Sequence, residues 1–298
     1  QLAKLLNVKK QDVGFAGLKD RNAVTTQWFS IYLPGKHMPD VKSLLPEDLL
    51  GSIEILEQTR HLKKLRRGTL AGNRFTLTIR DCESDGAIKA QLDELINQIK
   101  QRGIPNYFGE QRFGHPLEVD GKVTWNNIEH ATAWFNGEIR KPKNRNQRSM
   151  YLSAARSWVF NHVLSARVAN DTWDKPVTGD VFILGNSHSW FVDDGDEQLS
   201  QRVEAFDIHP SGALWGRGSL ESADEVLELE ADIASQHSVL CQGLEKQGLK
   251  QERRSLRIQV TDLKHQWLDD TSLQLSFILP PGSYATVMLA QIIRKTAP

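Results

Sequence analysis

One acidic residue stands out in the segment "GFAGLKDRNAVTTQ", residues 14–27, where Asp20 follows Lys19 in a glycine-containing stretch between two apolar segments. An ionised carboxylate can attack a carbon atom or remove a proton, and a neighbouring cation favours its charged form. The same residue could instead accept a hydrogen bond from its own backbone in a turn. These residue types therefore leave a catalytic role and a structural role open.

Other reactive groups are scattered along the chain. The nine histidines show no HxH, HxxxH or HExxH spacing, so we expect no metal site. Cys82 and Cys241 form no CxxC pair, which predicts neither a disulfide framework nor a zinc site and favours a reducing compartment. No Walker or GxGxxG loop is present, so no cofactor is expected. No apolar run has membrane-spanning length, and we expect a cytoplasmic protein without a membrane partner.

Basic residues are concentrated although the 37 basic and 37 acidic residues cancel. Residues 60–74 contain six Lys or Arg and no acid, and residues 140–148 contain five more and no acid. Such runs could be solvated loop faces, but two in a neutral chain favour contact with a nucleic-acid backbone. The candidates for this contact are Lys63, Lys64, Arg66, Arg67, Arg145 and Arg148.

Strand patterns lie on both sides of Asp20, in "DVGFA" before it and "QWFSIYL" after it. Asp20 is therefore predicted to lie in a strand-to-strand connection. Two further strands are predicted in "SIEILEQTR", residues 52–60, and "RFTLTIRD", residues 74–81, with a basic loop between them.

Helix signals follow. Ser84 is predicted to cap an amphipathic helix that Gly103 ends, and Ser222 with Glu225 has the spacing of a capping box. Helical patterns dominate residues 104–256.

The strand pattern returns near residue 255, where "SLRIQVTDL" and "SLQLSFILP" predict a hairpin before a last helix. An order of strands, helices and strands predicts an α+β protein in which a middle domain is inserted into a sheet domain. The predicted boundaries are 1–103 and 257–298 for the sheet domain and 104–256 for the insertion.

Five segments in order resemble the TruD family of tRNA pseudouridine synthases: "GLKDRNAVTTQ", "AGNRF", "NYFGEQRFG", "NQRSMYLSAARS" and "LPPGSYAT". The resemblance extends over nearly the whole chain. It implies a pseudouridine-synthase-like mixed or antiparallel sheet domain with an inserted α/β domain of the TRUD type. It also implies isomerisation of a uridine in tRNA, usually at position thirteen in the D-arm, without a cofactor.

The resemblance also implies roles for particular residues. Asp20 matches the catalytic aspartate. From charge alone, Lys19 or an Arg of the basic loop is a candidate to keep this carboxylate ionised, and Lys19 is also a candidate to bind substrate. Asn73 matches an asparagine that contacts substrate. Phe75 matches an aromatic that lines the uracil pocket, although core burial would equally fit its strand phase. Tyr284 stands where the family usually has a phenylalanine in contact with the target nucleotide. Tyrosine keeps the stacking surface that substrate binding needs, but its added hydroxyl requires a hydrogen-bond partner.

The segment that contains Asn106, Tyr107, Phe108, Gln111 and Arg112 is a second family signature. For it we favour a structural loop between the domains over direct substrate contact. Members of the family also carry a segment before the matched part, and the helical pattern at the first residue suggests that residues precede it here.

The resemblance implies tRNA as the partner. An enzyme of this kind must extract its target base from the stack of the folded RNA. No heptad seam is present, and a monomer is expected. The main alternative is a non-catalytic RNA-binding protein that uses the same basic cleft. A second alternative is an enzyme that acts on another RNA uridine.

Overall fold

A computed structural model describes residues 1–119, 121–185, 187, 189–193 and 195–293 of the 298-residue chain. The chain divides into two compact units, Gln1–Asn73 and Arg74–Pro298. Its elements are helices and mainly antiparallel strands, which confirms the predicted α+β class. The predicted domain boundaries at residues 103 and 256 stay a prediction.

The first unit has little regular structure. A two-stranded antiparallel sheet pairs Gly14 with Ser30, and the backbone carbonyl of Leu65 lies so close to Gly14 that a Cβ there would be 2.4 Å away. Ser30 Oγ accepts a hydrogen bond from the Leu65 amide at 2.8 Å, so the basic loop lies against the strand pair. The elements are α1 (Leu2–Leu5), a 3-10 turn (Lys10–Asp12), β1 (Val13–Phe15), β2 (Phe29–Ile31) and α2 (Glu47–Leu50).

The predicted strand at residues 52–60 is wrong, because no strand forms there in the structure. The Gln58 side chain instead makes two hydrogen bonds from this segment to the backbone at residues 39–41. Its Oε1 accepts from the Val41 amide at 2.8 Å, and its Nε2 donates to the Pro39 carbonyl at 2.9 Å. A side-chain amide therefore replaces the backbone ladder that alternation predicted.

The second unit contains two groups of elements. The first group begins with β3 (Asn73–Ile79), whose first residue is the last of the first unit. Its other elements are α3 (Gly86–Arg102), β4 (Ile104–Pro105), β11 (Arg257–Ile258), β12 (Thr261–Trp267), β13 (Leu273–Leu279) and α9 (Ala285–Ile292). The second is β5 (Pro116–Val119), β6 (Lys122–Trp125), α4 (Asn126–Phe135), α5 (Arg145–Ala169), β7 (Val181–Leu184), β8 (Trp190–Val192), α6 (Leu199–Glu204), β9 (Ile208–Leu214), α7 (Asp224–Gln236), α8 (Ser238–Lys246) and β10 (Glu252–Ser255).

The first group forms a three-stranded sheet in the order β12-β13-β3, and the predicted hairpin corresponds to its β12-β13 pair. The first strand of that hairpin begins later than predicted, because Arg257 and Ile258 pair with β4 instead. Alternate residues of β13 are buried, as period-two geometry requires. Leu275 and Phe277 pack against Ile96 of α3 and Met288 of α9 in one apolar core.

The second group forms a four-stranded sheet in the order β10-β9-β7-β8. The 25-residue α5 crosses this region and packs on α4, α7 and α8. Ala154, Ala155 and Val159 of α5 are buried in a core with Leu240 and Leu244 of α8.

Two of the three predicted helix-end residues are corrected. Asp85, not Ser84, caps α3, because the Asp85 carboxylate accepts from the Ile88 amide at 2.8 Å while the Ser84 hydroxyl donates to the Asp270 carbonyl. Gly103 ends that helix with a φ of 76°, as predicted.

The predicted capping box at residue 222 is also wrong. Helix α7 begins at Asp224 after Ala223, which has no capping side chain. The Ser222 hydroxyl donates instead to the buried Glu230 carboxylate at 2.7 Å. A buried carboxylate needs donors more than an exposed helix end does, because the helix end can use water.

The buried Glu230 carboxylate joins helix α7 to strands β9 and β10. Its carboxylate accepts from Arg253 Nη1 at 2.9 Å and from the Ala213 amide at 2.9 Å. The exposed fraction of the two side chains is 0% and 4% for Glu230 and Arg253. A buried ion pair of this kind is strongly destabilising when one partner is removed.

We predict that Glu230→Ala lowers the free energy of unfolding by about 3–5 kcal/mol, because Arg253 is left as an uncompensated buried charge. Urea denaturation followed by circular dichroism measures this. The matched control is Glu228→Ala, an exposed glutamate of the same helix, for which we expect a change below about 0.5 kcal/mol. Equal losses for the two variants would contradict the prediction.

Candidate active site and basic surfaces

Asp20 lies in the connection between β1 and β2, as the strand pattern predicted. Its side chain is exposed, and Oδ1 accepts a hydrogen bond from the Asn22 amide at 3.0 Å. This is the turn contact that a purely structural role would require. The second carboxylate oxygen has no hydrogen-bond partner among the described residues, so it can still contact a ligand.

Two predicted site residues, Lys19 and Asn73, are in contact. The Lys19 ammonium donates a hydrogen bond to Asn73 Oδ1 across 54 positions of sequence, which joins the segments "GLKD" and "AGNRF". Lys19 forms no ion pair with Asp20 within the described part of the chain. Asn73 Nδ2 donates to no described residue, so it remains able to donate to a carbonyl oxygen such as those of uracil.

Phe75 belongs to the second unit, where its ring stacks on Phe277 with the centroids 5.5 Å apart. The side chain is half-buried and packs against the core of the β12-β13-β3 sheet. Core packing is thus the contact that the structure describes for Phe75, and its role in a uracil pocket stays a prediction.

The Tyr284 hydroxyl has the partner that its position requires. It accepts from Arg112 Nε at 3.1 Å and from Arg112 Nη2 at 2.8 Å. The same guanidinium donates through Nη1 to Ser153 Oγ at 3.0 Å. Arg112 therefore connects three segments: the loop before β5, helix α5 and the residues before α9.

The backbone next to Phe108 approaches the Tyr284 ring closely at Gly109. A Cβ on Gly109 would lie 3.0 Å from Cδ1 of the Tyr284 ring, so glycine permits the close approach of the ring. The Phe108 and Tyr284 rings meet edge to face with centroids 6.4 Å apart. These contacts are all internal, which favours the structural role expected for this segment.

Arg254 is a residue that the motifs did not indicate. Its guanidinium lies 4.0 Å from the centre of the Phe108 ring, and Nη2 donates to Asn106 Oδ1 at 2.6 Å and to the Gly282 carbonyl at 3.1 Å. Burial lowers the pKa of Arg254 to about 10, and the positive charge of Arg112 acts in the same direction. No sequence signal pairs residue 254 with the loop at 106, because only the fold brings them together.

The predicted phosphate-binding residues form two separate groups. In the first unit, Lys63, Lys64, Arg66 and Arg67 are exposed. The Lys64 ammonium donates to the Gln11 carbonyl, and the Arg67 guanidinium lies 5.2 Å from the centre of the Phe15 ring. In the second unit, Arg145 and Arg148 line a groove of about 350 Å³ on helix α5.

Three further observations concern ligands and membranes. Cys82 and Cys241 are both free thiols. In the described ranges, no three His, Cys, Asp or Glu side chains are grouped so that they could hold a metal ion. No described helix combines the length and the apolar character that a membrane span requires.

Known proteins resemble this chain over almost its full length. The family model for tRNA pseudouridine synthase D (TruD) matches residues 1–138 and 140–292. The tRNA pseudouridine synthase D of Hydrogenovibrio crunogenus is 45% identical over 292 residues, which is 98% of this chain and 80% of that protein. The protein of the same name from Methylococcus capsulatus is 45% identical over 98% of this chain and 78% of its own length.

A crystal structure from Methanosarcina mazei that carries the TruD description has the same fold, with a TM-score of 0.69 at 20% identity. The match covers 98% of this chain and 83% of that structure's chain. The chain is thus one of the pseudouridine synthases, a class of isomerases. Within that class it belongs to the tRNA pseudouridine synthase D (TruD) family.

We predict that Tyr284→Phe lowers the free energy of unfolding by about 1–3 kcal/mol, because two N–H groups of the half-buried Arg112 lose their acceptor. The aromatic ring remains, so turnover should stay close to that of the unchanged protein. Urea denaturation and a pseudouridine-formation assay measure the two effects.

The matched control for this prediction is Tyr32→Phe. Tyr32 is exposed and its hydroxyl has no hydrogen bond to any described residue, so the same chemical change should leave stability unaltered. A clear loss of turnover in Tyr284→Phe under conditions where the variant is fully folded would contradict the assignment of the hydroxyl to packing.

Proposed function

We propose that this protein isomerises a uridine in tRNA to pseudouridine and that Asp20 supplies the essential carboxylate. The observation that supports this most directly is the hydrogen bond from Lys19 to Asn73, which brings two family segments together next to an exposed carboxylate. The names of the relatives, tRNA pseudouridine synthase D, support the choice of tRNA as substrate.

The reaction requires little more than a positioned carboxylate. The bond between N1 of uracil and C1′ of the ribose breaks, the base turns, and a new bond joins C5 to C1′. C5 loses one proton and N1 gains one, so the overall change is neutral in atoms and electrons. An ionised Asp20 could attack carbon directly or remove a proton at C2′.

Asn73 and Lys19 are proposed to bind the target nucleotide. The free Nδ2 of Asn73 can donate to a uracil carbonyl, and the Lys19 ammonium holds the Asn73 side chain in the orientation that leaves Nδ2 free. Phe75 and Tyr284 are proposed to contribute aromatic surface for the extruded base, since aromatic rings commonly hold a flipped base.

We predict that Asp20→Asn abolishes tritium release from tRNA that carries tritium at uracil C5, to less than about one thousandth of the original rate. Asparagine keeps the size and the turn hydrogen bond but cannot attack carbon or accept a proton as a carboxylate does. The affinity for the same tRNA is measured in parallel and should change by less than about threefold.

Asp40→Asn is a closely matched control. Asp40 is also exposed, and its Oδ1 accepts from the amide two residues ahead at 3.1 Å, as Asp20 does at 3.0 Å. This variant should release tritium normally. If Asp20→Asn also releases tritium normally, the proposed role of Asp20 is wrong. If the unchanged chain binds tRNA without release, the non-catalytic RNA-binding alternative is favoured.

We further propose that the target is the uridine at position thirteen in the D-arm, as the family resemblance implies. A tRNA transcript with cytidine at that position should bind but release no tritium above background. Chemical mapping of pseudouridine in the unmodified transcript should give a single new modification there. Release that persists from the cytidine transcript would favour the other alternative, an enzyme that acts on a different uridine.

A further inference from the structure

Helix α5 carries a polar groove along one face. Six of its lining residues follow the i, i+3, i+4, i+7 pattern of one helix face: Arg145, Arg148, Ser149, Leu152, Ser153 and Arg156. Leu249, which follows α8, completes the lining, and the groove encloses about 350 Å³. That volume falls within the range of small-ligand sites.

Two arginines in this groove have unused donors. Arg145 and Arg148 make no side-chain hydrogen bond or ion pair with any described residue. Arg156 is different, because its Nη1 pairs with Glu252 at 2.9 Å and its Nη2 donates to the Leu214 carbonyl at 2.9 Å. The charge of Arg156 is therefore largely balanced, and the excess positive charge of the groove comes from Arg145 and Arg148.

The hydroxyl groups add further donors. Ser153 Oγ already accepts from Arg112, so its hydrogen is free to point toward a ligand. Ser149 makes no side-chain hydrogen bond to a described residue. Leu152 and Leu249 also pack against the helical core and present apolar surface to the groove.

We propose that this groove is an RNA phosphodiester site. Two guanidinium groups and two hydroxyls match the oxygens of one phosphate, and the leucines match the apolar edge of a ribose. The lining contains no Asn, Gln, Asp or Glu, so any polar contact to RNA would come from its arginines and serines. In this proposal the arginines contact phosphate oxygens, so the site positions the RNA without reading its sequence. That the RNA is tRNA rests on the proposed function.

The test uses Arg148→Gln in the full chain with a tRNA transcript as the probe. We expect the Kd to rise about tenfold, with the same factor for transcripts that carry uridine or cytidine at position thirteen. The slope of log affinity against log salt should fall in magnitude by about 0.7–0.9, which corresponds to one lost phosphate contact. In the tritium assay KM should rise and kcat should stay unchanged.

Arg80→Gln is the matched control. Arg80 is an exposed arginine after β3 whose side chain has no partner in the described part of the chain, so the variant loses the same charge outside the groove. Its Kd and salt slope should match those of the unchanged protein within about twofold. Equal effects of the two substitutions would overturn the groove as a specific site.

The remaining outcomes separate this site from the proposed function. Tritium release combined with RNA affinity that is insensitive to Arg148→Gln would overturn the site and leave the isomerase. Affinity that depends on Arg148 without tritium release would support the site while the isomerase proposal fails. Binding of uridine monophosphate that depends on Arg148, with unchanged RNA affinity, would assign the groove to a free nucleotide and overturn the RNA assignment.

Discussion

The guanidinium of Arg112 is the contact on which the arrangement of the second unit around Tyr284 depends. Three of its nitrogens are engaged: two donate to the Tyr284 hydroxyl and one donates to Ser153 on α5. A planar fork can hold two partners at fixed angles, which a lysine cannot do. The Arg112 side chain therefore links the loop at 106–113, the long helix and the segment before α9.

Arg254 supports the same arrangement from the other side of Phe108. Both guanidinium groups lie near this ring, at 4.0 Å for Arg254 and 5.7 Å for Arg112. Two cations on one aromatic residue would repel each other in isolation, but carbonyl and amide oxygens of Asn106 and Gly282 accept from Arg254. Buried charge is stable here because nearly every strong donor has an acceptor.

The residues proposed to act on RNA or to bind it have the opposite character. Asp20, Lys63 and Arg66 are exposed, and Arg145 and Arg148 keep unused donors. Buried pairs such as Glu230 with Arg253 use their charges to stabilise the fold, whereas exposed and unpaired charges remain available to a polyanionic substrate. The net charge of zero hides this division, because many of the acids lie in other segments of the chain than the two basic runs.

The sequence by itself determined the features that depend on neighbouring residues. The α+β class, the β1-β2 connection around Asp20, the β12-β13 hairpin and the end of α3 at Gly103 all follow from local periodicity and backbone preference. The requirement for a partner of the Tyr284 hydroxyl was also predictable, because a buried phenol rarely lacks one.

Only the tertiary structure decided which partner each polar group has. Ser84 and Ser222 have the chemistry of helix caps, but a distant carbonyl and the buried Glu230 accept from them instead. Gln58 replaces a predicted strand with side-chain contacts, and Arg254 reaches Asn106 across 148 positions. Local patterns state what a residue can bind, whereas competition among distant donors and acceptors, settled by packing, decides what it does bind.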